Sequence, residues 1–170
     1  MLRHIRHRSG LSRWVDGLLV VGLCLFLCLS WVSPAWANDH TKEILLNADF
    51  SGQDLTDASF TKANLKNSTF KGSNLSGVSF FGANLEDTNL EGVNLSIATL
   101  DSARLVQANL TNAILEGAFV YSAQFQGAII TGADFTDVDL TDTVQVALCK
   151  VASGTNPVTG RKTRETLNCA

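Results

Sequence analysis

The feature that most constrains this 170-residue sequence is a period of five in its large apolar residues. From Phe50 to Leu140, every fifth position is large and apolar, giving nineteen consecutive matches. An α-helix repeats about every 3.6 residues and a β-strand about every two, so neither places all nineteen side chains on one face. A fixed short repeat therefore predicts a solenoid whose core holds these central residues. They are Phe50, Leu55, Phe60, Leu65, Phe70, Leu75, Phe80, Leu85, Leu90, Leu95, Leu100, Leu105, Leu110, Leu115, Val120, Phe125, Ile130, Phe135 and Leu140.

The other positions of the repeat have their own chemistry. The residue two places before each central residue is small or modest in size, usually Ala, and Gln53 is the polar exception. Glycine recurs two places after the central residue, which suits a corner that needs positive φ. Amide side chains one coil apart, as at Asn74 and Asn94 or Asn89 and Asn109, are expected to form ladders.

Segments such as Ala-Asn-Leu-Glu-Asp, Ala-Asn-Leu-Thr-Asn and Ala-Asp-Phe-Thr-Asp resemble those of the pentapeptide-repeat family. The resemblance covers residues 48–142. It implies an all-β solenoid, a right-handed quadrilateral β-helix with one pentapeptide per side. Nineteen pentapeptides then correspond to almost five coils, about 23 Å long at the spacing of stacked strands.

The first 37 residues have the pattern of a secretory signal peptide. Four Arg and no acidic residue occur in 1–13, an apolar stretch follows from Val15 to Val32, and a small-x-small site ends at Ala37. This pattern predicts cleavage between Ala37 and Asn38. An uncleaved membrane anchor is the alternative, because the apolar stretch is near the minimum length for spanning a bilayer.

Charge and cysteine content limit the partners of the exported chain. Removing 1–37 takes four Arg and one Asp from totals of 13 basic and 16 acidic residues, leaving 9 and 15. This acidic balance argues against nucleic acid as a partner, since phosphate binding needs clustered Lys and Arg. Cys149 and Cys169 are the two cysteines that remain, and an even pair in an exported protein predicts one disulfide.

Both open ends of the solenoid need covering. We expect a short helical or irregular N-terminal cap at 38–47 and a C-terminal cap at 143–170, helical near Val144–Cys149 and tied by the disulfide. The tail from Leu148 to Cys169 is similar to the ending of thylakoid lumenal pentapeptide-repeat proteins of cyanobacteria and chloroplasts. Together with the bacterial-type signal sequence, that resemblance implies a cyanobacterial origin and the thylakoid lumen, with the periplasm as second choice.

No catalytic or cofactor-binding pattern is apparent, so we expect a non-enzymatic protein without a cofactor or structural metal. His40 is the only histidine after residue 37, and it precedes the predicted repeat. The two cysteines are too few for a zinc site. Acidic residues on the last coil could attract a cation, but we favour solvated corner carboxylates as their explanation: Asp134, Asp137, Asp139 and Asp142.

Three aromatic residues fall at outward positions of the repeat and form a candidate partner face: Phe81, Phe119 and Tyr121. Exposed aromatics can mark a protein-binding site, although single exposed apolar residues also occur on ordinary surfaces. The preferred hypothesis is a structural or interaction module that binds an unidentified protein in the lumen or at the thylakoid membrane surface. Two alternatives stay open: a redox-responsive disulfide protein, and a DNA mimic that inhibits topoisomerases, which export disfavours.

Overall fold

The computed structural model describes residues 38–170. The predicted signal peptide, residues 1–37, lies outside the described residues. Residues 38–137 form five successive coils of 20 residues, because parallel β-bridges join positions 20 residues apart, from Asp39 with Ser59 to Ile114 with Asp134. No strand longer than a single bridge residue forms between 38 and 170, and within the coils a turn lies between successive bridges.

Each coil has four sides of five residues. In the last coil these sides are centred on Val120 (side 1), Phe125 (side 2), Ile130 (side 3) and Phe135 (side 4). At the corners, the N–H two residues before one centre donates to the carbonyl of the preceding centre, as Ala63 N does to Phe60 O at 3.0 Å. The third residue of such a turn needs positive φ, which suits glycine, and Gly72 there has a φ of 67°.

The core is a column of central side chains inside the four-sided coil. Those from Leu55 to Phe135 are buried, whereas Phe50 and Leu140, at the two limits of the predicted repeat, are half-buried. Aromatic rings stack along the axis in the first coils, with Phe60 and Phe80 at 5.1 Å between ring centroids. Burial of each such side chain contributes about 1.5–3 kcal/mol, most of which offsets the entropy of ordering the chain.

Side-chain amides also connect the coils. Asn94 Nδ2 donates to Asn74 Oδ1 at 3.0 Å, and Asn109 Nδ2 donates to Asn89 Oδ1 at 3.4 Å. The expected amide ladders are therefore confirmed.

The prediction of an N-terminal cap at 38–47 is wrong, because this segment already belongs to the first coil. His40 N donates to Ser59 O and Leu45 N to Asn64 O, both at 2.8 Å, and Lys42 has the positive φ of a corner. His40 takes the central position and stacks on Phe60 at 5.0 Å. The backbone ladder does not require an aliphatic centre, so the coil extends beyond the recognisable repeat.

The C-terminal cap begins where the chain leaves the coil after Asp137. Helix α1 spans Asp142–Cys149 and helix α2 spans Thr163–Thr166. Between them, Thr155 and Lys162 form an antiparallel bridge. Cys149 and Cys169 form a disulfide with a Cα–Cα distance of 5.6 Å. The cap therefore contains a helix and a disulfide at the positions that the sequence predicted.

Candidate interaction surface at the last coil

The three residues of the predicted partner face all lie on side 1, but the structure divides them. Phe81, Phe119 and Tyr121 are 42%, 59% and 77% exposed. Phe119 and Tyr121 flank Val120 on the last coil, whereas Phe81 lies two coils away in the same column as Tyr121. Asp101 lies between them in that column, and its Oδ1 accepts a 2.7 Å hydrogen bond from Tyr121 N.

Phe119 and Tyr121 border a cleft of about 560 Å³ between side 1 of the last coil and the segment that leads into α1. Val120, Leu140 and Val144 contribute apolar walls. Three carboxylates line the same cleft: Asp101, Asp137 and Asp139. We call this feature the side 1 cleft. Its combination of aromatic, aliphatic and acidic groups is the main candidate for recognition of a partner.

The cleft exists because the hydrogen-bond ladder stops there. One coil earlier, Leu100 N donates to Phe119 O at 2.7 Å and Ser102 N donates to Tyr121 O at 2.8 Å. The equivalent N–H groups of Val120 and Ser122 have no acceptor among residues 38–170. Side 1 of the last coil therefore presents an unpaired edge, the kind of backbone surface on which another strand can pair.

Side 2 of the last coil also presents an unpaired backbone edge. Phe125 N and Gly127 N have no acceptor in the described part of the chain. Helix α1 lies beside them and leaves a groove of about 320 Å³, lined by Phe125, Val144, Leu148 and Val151 among others. Helix α1 covers the apolar core but provides no hydrogen-bond acceptor for these two N–H groups.

Sides 3 and 4 differ, because residues 153–167 cover them. Gly132 N donates to Ser153 O at 2.7 Å, and Phe135 N donates to Thr166 Oγ1 at 3.1 Å. The central residues reflect this coverage: Ile130 and Phe135 are each 1% exposed, against 7% for Val120 and 6% for Phe125. The cap therefore closes one half of the last coil more completely than the other.

Asn156 is the residue that fastens the cap, and the sequence analysis did not identify it. Its side chain is fully buried, and Nδ2 donates to the carbonyls of Gly132 at 2.9 Å, Asn112 at 3.1 Å and Ala113 at 3.3 Å. Its Oδ1 accepts from the N–H of Val158 at 3.0 Å. The only local signal in the sequence is its place in a stretch rich in Gly, Asn and Pro, which indicates a turn.

An ion pair between buried Asp134 and half-exposed Arg161 lies beside Asn156. Asp134 Oδ2 is 2.8 Å from Arg161 Nε, and Arg161 also pairs with Glu116. Burial alone would raise the pKa of Asp134, but hydrogen bonds from Thr136 and Thr159 and the charge of Arg161 outweigh it, so the pKa is lowered. Asp134 is thus a structural anion rather than part of an acidic surface.

The remaining candidate groups do not assemble into a reactive site. His40 is half-buried at the start of the coil and its Nδ1 lies 2.7 Å from Glu43 Oε2. Residues 38–170 contain no group of three or more His, Cys, Asp or Glu side chains arranged to hold a metal ion. Neither helix of the described chain has the length and apolar character needed to cross a bilayer.

Several acidic side chains on the coil face basic partners. Glu86 lies 2.9 Å from both Lys66 and Arg104, which lowers its pKa first through the hydrogen bond from Lys66. Glu91 lies 3.1 Å from Lys71. These pairs interrupt the negative surface, so the coil does not present the continuous acidic column that mimicry of DNA would use.

The family follows from the repeat itself. The pattern of the family described as pentapeptide repeats matches in eight copies, over residues 44–72, 58–96 and 103–142. This chain belongs to the pentapeptide repeat family. Membership of this family, together with one similar solved structure, implies that the four-sided coil described above is a right-handed quadrilateral β-helix. Comparison with curated proteins gives no match.

One solved structure is similar over most of its length. A pentapeptide repeat protein from the Arabidopsis thaliana thylakoid lumen is 46% identical, with a TM-score of 0.74, over 75% of this chain and 89% of that one. HetL, a pentapeptide repeat protein involved in heterocyst differentiation regulation from Nostoc sp. strain PCC 7120, is 27% identical with a TM-score of 0.47, over 56% and 48%. QnrB1, a plasmid-mediated fluoroquinolone resistance protein, is 24% identical with a TM-score of 0.36, over 61% and 68%.

Proposed function

We propose that this pentapeptide repeat protein is a non-enzymatic interaction module of the thylakoid lumen, and that it binds a partner protein through side 1 of its last coil. The observation that carries the proposal is the coincidence of Phe119 and Tyr121 with an unpaired ladder edge. The other unpaired edges of the coil, such as side 2 of the last coil, carry no exposed aromatic residue. Exposed aromatics beside a cleft are the groups that most often contribute binding energy at protein interfaces.

The compartment is supported by the relative from the Arabidopsis thylakoid lumen and by the signal-like residues 1–37. Fractionation of the exporting cell, followed by N-terminal sequencing of the purified protein, tests this part of the proposal. We expect lumenal protein that begins at Asn38. A chain that starts at Met1 and stays in the membrane fraction would contradict cleavage, and one in the cytoplasm would contradict export.

The interaction role is tested by photocrosslinking inside the intact compartment. A photoreactive benzoylphenylalanine would replace Phe119 or Tyr121 in separate variants, with Lys71, an exposed position on the opposite side 3, as the matched control. We expect a discrete adduct from positions 119 and 121 that position 71 does not give. No adduct at either aromatic position, or the same adducts at position 71, would refute side 1 as the binding surface.

A redox role is the second candidate, because the disulfide is within reach of solvent. Cys149 and Cys169 are only partly buried and line an open groove with Gln145 and Lys150. A dithiol carrier could approach from this side, and reduction would remove the covalent link between the end of α1 and the chain terminus, leaving the hydrogen bonds of Arg164 to Cys149 O and Ala170 O. Incubation with a reduced thioredoxin tests this candidate: rapid reduction of the folded protein would support it, and resistance until unfolding would remove it.

A further inference from the structure

The unpaired edge on side 1 has the geometry of a missing strand. The N–H groups of Val120 and Ser122 and the carbonyl of Ala118 have no backbone partner among residues 38–170. In the coil before, the corresponding groups of Leu100, Ser102 and Ala98 all pair with the next coil. These groups, one acceptor at Ala118 and two donors at Val120 and Ser122, lie on alternate residues and are the ones that the next parallel segment of a coil pairs with.

The chain itself vacates the position that such a strand would take. After Asp137 it leaves the coil and runs into α1, so Leu140 forms a wall of the side 1 cleft instead of a ladder partner for Val120. The cleft volume of about 560 Å³ falls within the range of roughly 300–1,000 Å³ that binding sites occupy. Space and hydrogen-bonding groups are thus present together.

Charge determines which segment fits. No Lys, Arg or His lines the side 1 cleft, and its carboxylates Asp101, Asp137 and Asp139 form no ion pair within residues 38–170. The rings of Phe119 and Tyr121 border the same space, and aromatic faces attract cations. A basic side chain entering here would gain both carboxylate and ring contacts.

Building on the interaction role above, we propose that the side 1 cleft receives an extended segment of the partner protein, with a Lys or Arg flanked by apolar residues. The segment adds a strand to the last coil through Ala118, Val120 and Ser122. Its basic side chain lies among the three carboxylates, and its apolar side chains pack on Phe119 and Tyr121. Backbone pairing provides the orientation, and the side chains provide the specificity.

The experiment is selection of heptapeptides from a random display library on the purified protein, in the processed form in which it accumulates. We expect the enriched sequences to carry Lys or Arg next to apolar residues. Fluorescence anisotropy then gives the affinity for the best peptide. The double variant Asp137→Asn with Asp139→Asn is expected to bind about tenfold more weakly, because it removes two of the three carboxylates.

The matched control is Phe81→Ser, an exposed aromatic of the same side that lies outside the cleft, and it is expected to bind the peptide as the parent does. Thermal unfolding of each variant verifies that it is folded. Amide hydrogen exchange provides the backbone readout: bound peptide should slow exchange at Val120 and Ser122 by about tenfold or more, because paired amides exchange only when they open.

Enrichment without a basic preference, full affinity in the double variant, unchanged exchange at Val120 and Ser122, or no enriched peptide would each overturn the inference. A second copy of this chain as the occupant would appear as dimerisation in sedimentation experiments and would also overturn it. Photocrosslinking from position 121 distinguishes failure of this inference from failure of the proposed interaction role. If an adduct forms at position 121 but no basic peptide is enriched, the proposed interaction role stands and this inference fails. If neither an adduct nor an enriched peptide is found, the interaction role and this inference both fail.

Discussion

The two halves of the last coil have the same repeat but different surroundings. On sides 3 and 4, the cap supplies Ser153, Asn156, Arg161 and Thr166 as partners for the coil. On sides 1 and 2, α1 provides apolar cover while the backbone edge stays unpaired. The difference shows that closing a hydrophobic core and completing a hydrogen-bond ladder are separate tasks. Within residues 38–170 the cap provides hydrogen-bond acceptors on sides 3 and 4 only, for Gly132 N and Phe135 N but not for Ile130 N or Asp137 N.

The largest expected effect on stability comes from sides 3 and 4, which we call the closed half of the last coil. Replacing Asn156 with Ala leaves the carbonyls of Asn112 and Gly132 without a donor, whereas Ala113 O keeps its bond from Asp134 N, so we expect a loss of about 3 kcal/mol in the free energy of unfolding. Urea unfolding measures it. The control Asn109→Ala, which removes a half-buried ladder amide, should cost about 1 kcal/mol. Equal losses in the two variants would show that Asn156 does not fasten the cap.

Removing the disulfide tests whether the cap holds the closed half as a unit. The bond closes a loop over a sequence separation of 20, so Cys149→Ser with Cys169→Ser should cost about 3 kcal/mol. Arg164, which donates to Cys149 O and Ala170 O, still joins the two segments. Hydrogen exchange should accelerate at Gly132 more than at Leu65 in the second coil. A uniform acceleration along the coil would instead indicate that the disulfide acts on the whole fold.

The ion pair of buried Asp134 with Arg161 gives the stability of the closed half a pH dependence. The pKa of Asp134 is lowered in the folded protein, so the stability it contributes is complete above the unfolded value of about 3.9 and is lost as pH falls through the lower folded pKa. At neutral pH, Asp134→Asn should cost about 2 kcal/mol. The difference between parent and variant should shrink below about pH 4, as measured by urea unfolding. A difference that stays constant with pH would contradict the pairing.

The smallest effect on stability is expected from sides 1 and 2, the open half of the last coil. Phe119→Ser with Tyr121→Ser removes two exposed side chains, so the free energy of unfolding should change by less than about 0.5 kcal/mol per residue. The photocrosslink to the partner protein, formed from an exposed position next to residues 119 and 121, should nevertheless be lost. Urea unfolding and adduct formation measure the two properties in one preparation. A large loss of stability would mean that these side chains hold the fold, and the surface would lose its interpretation as a binding site.

Much of the coil could be predicted from the sequence, and the contrast between the two halves could not. The period of five locates the buried centres from Leu55 to Phe135 because each must fill the same narrow interior. The first half of the first coil, residues 38–47, was missed because His40 replaces an aliphatic centre while the backbone pairs as usual. Asn156 and the pairing of Asp134 with Arg161 depend on how the tail folds back, which no local periodicity encodes.

The unpaired backbone edge of side 1 could likewise not be predicted from the sequence. Phe119 and Tyr121 were identified because aromatics are unusual at outward positions of the repeat. Whether Val120 finds a partner depends on where the chain leaves the coil, and the repeat-like Leu140 suggested that the coil continues. In the structure Leu140 is half-buried beside α1, and the last bridge pairs Ile114 with Asp134. The residues of the surface were thus predictable, whereas the unpaired backbone beside them was not.

Residue-resolved amide hydrogen exchange of the unliganded protein tests the central claim most directly. The account predicts fast exchange at Val120, Ser122, Phe125 and Gly127, and strong protection at their counterparts one coil earlier: Leu100, Ser102, Leu105 and Gln107. Gly132, on the closed half, should also be protected. Equal protection at the two sets of amides would mean that the edge is already paired and that side 1 offers no place for an added strand.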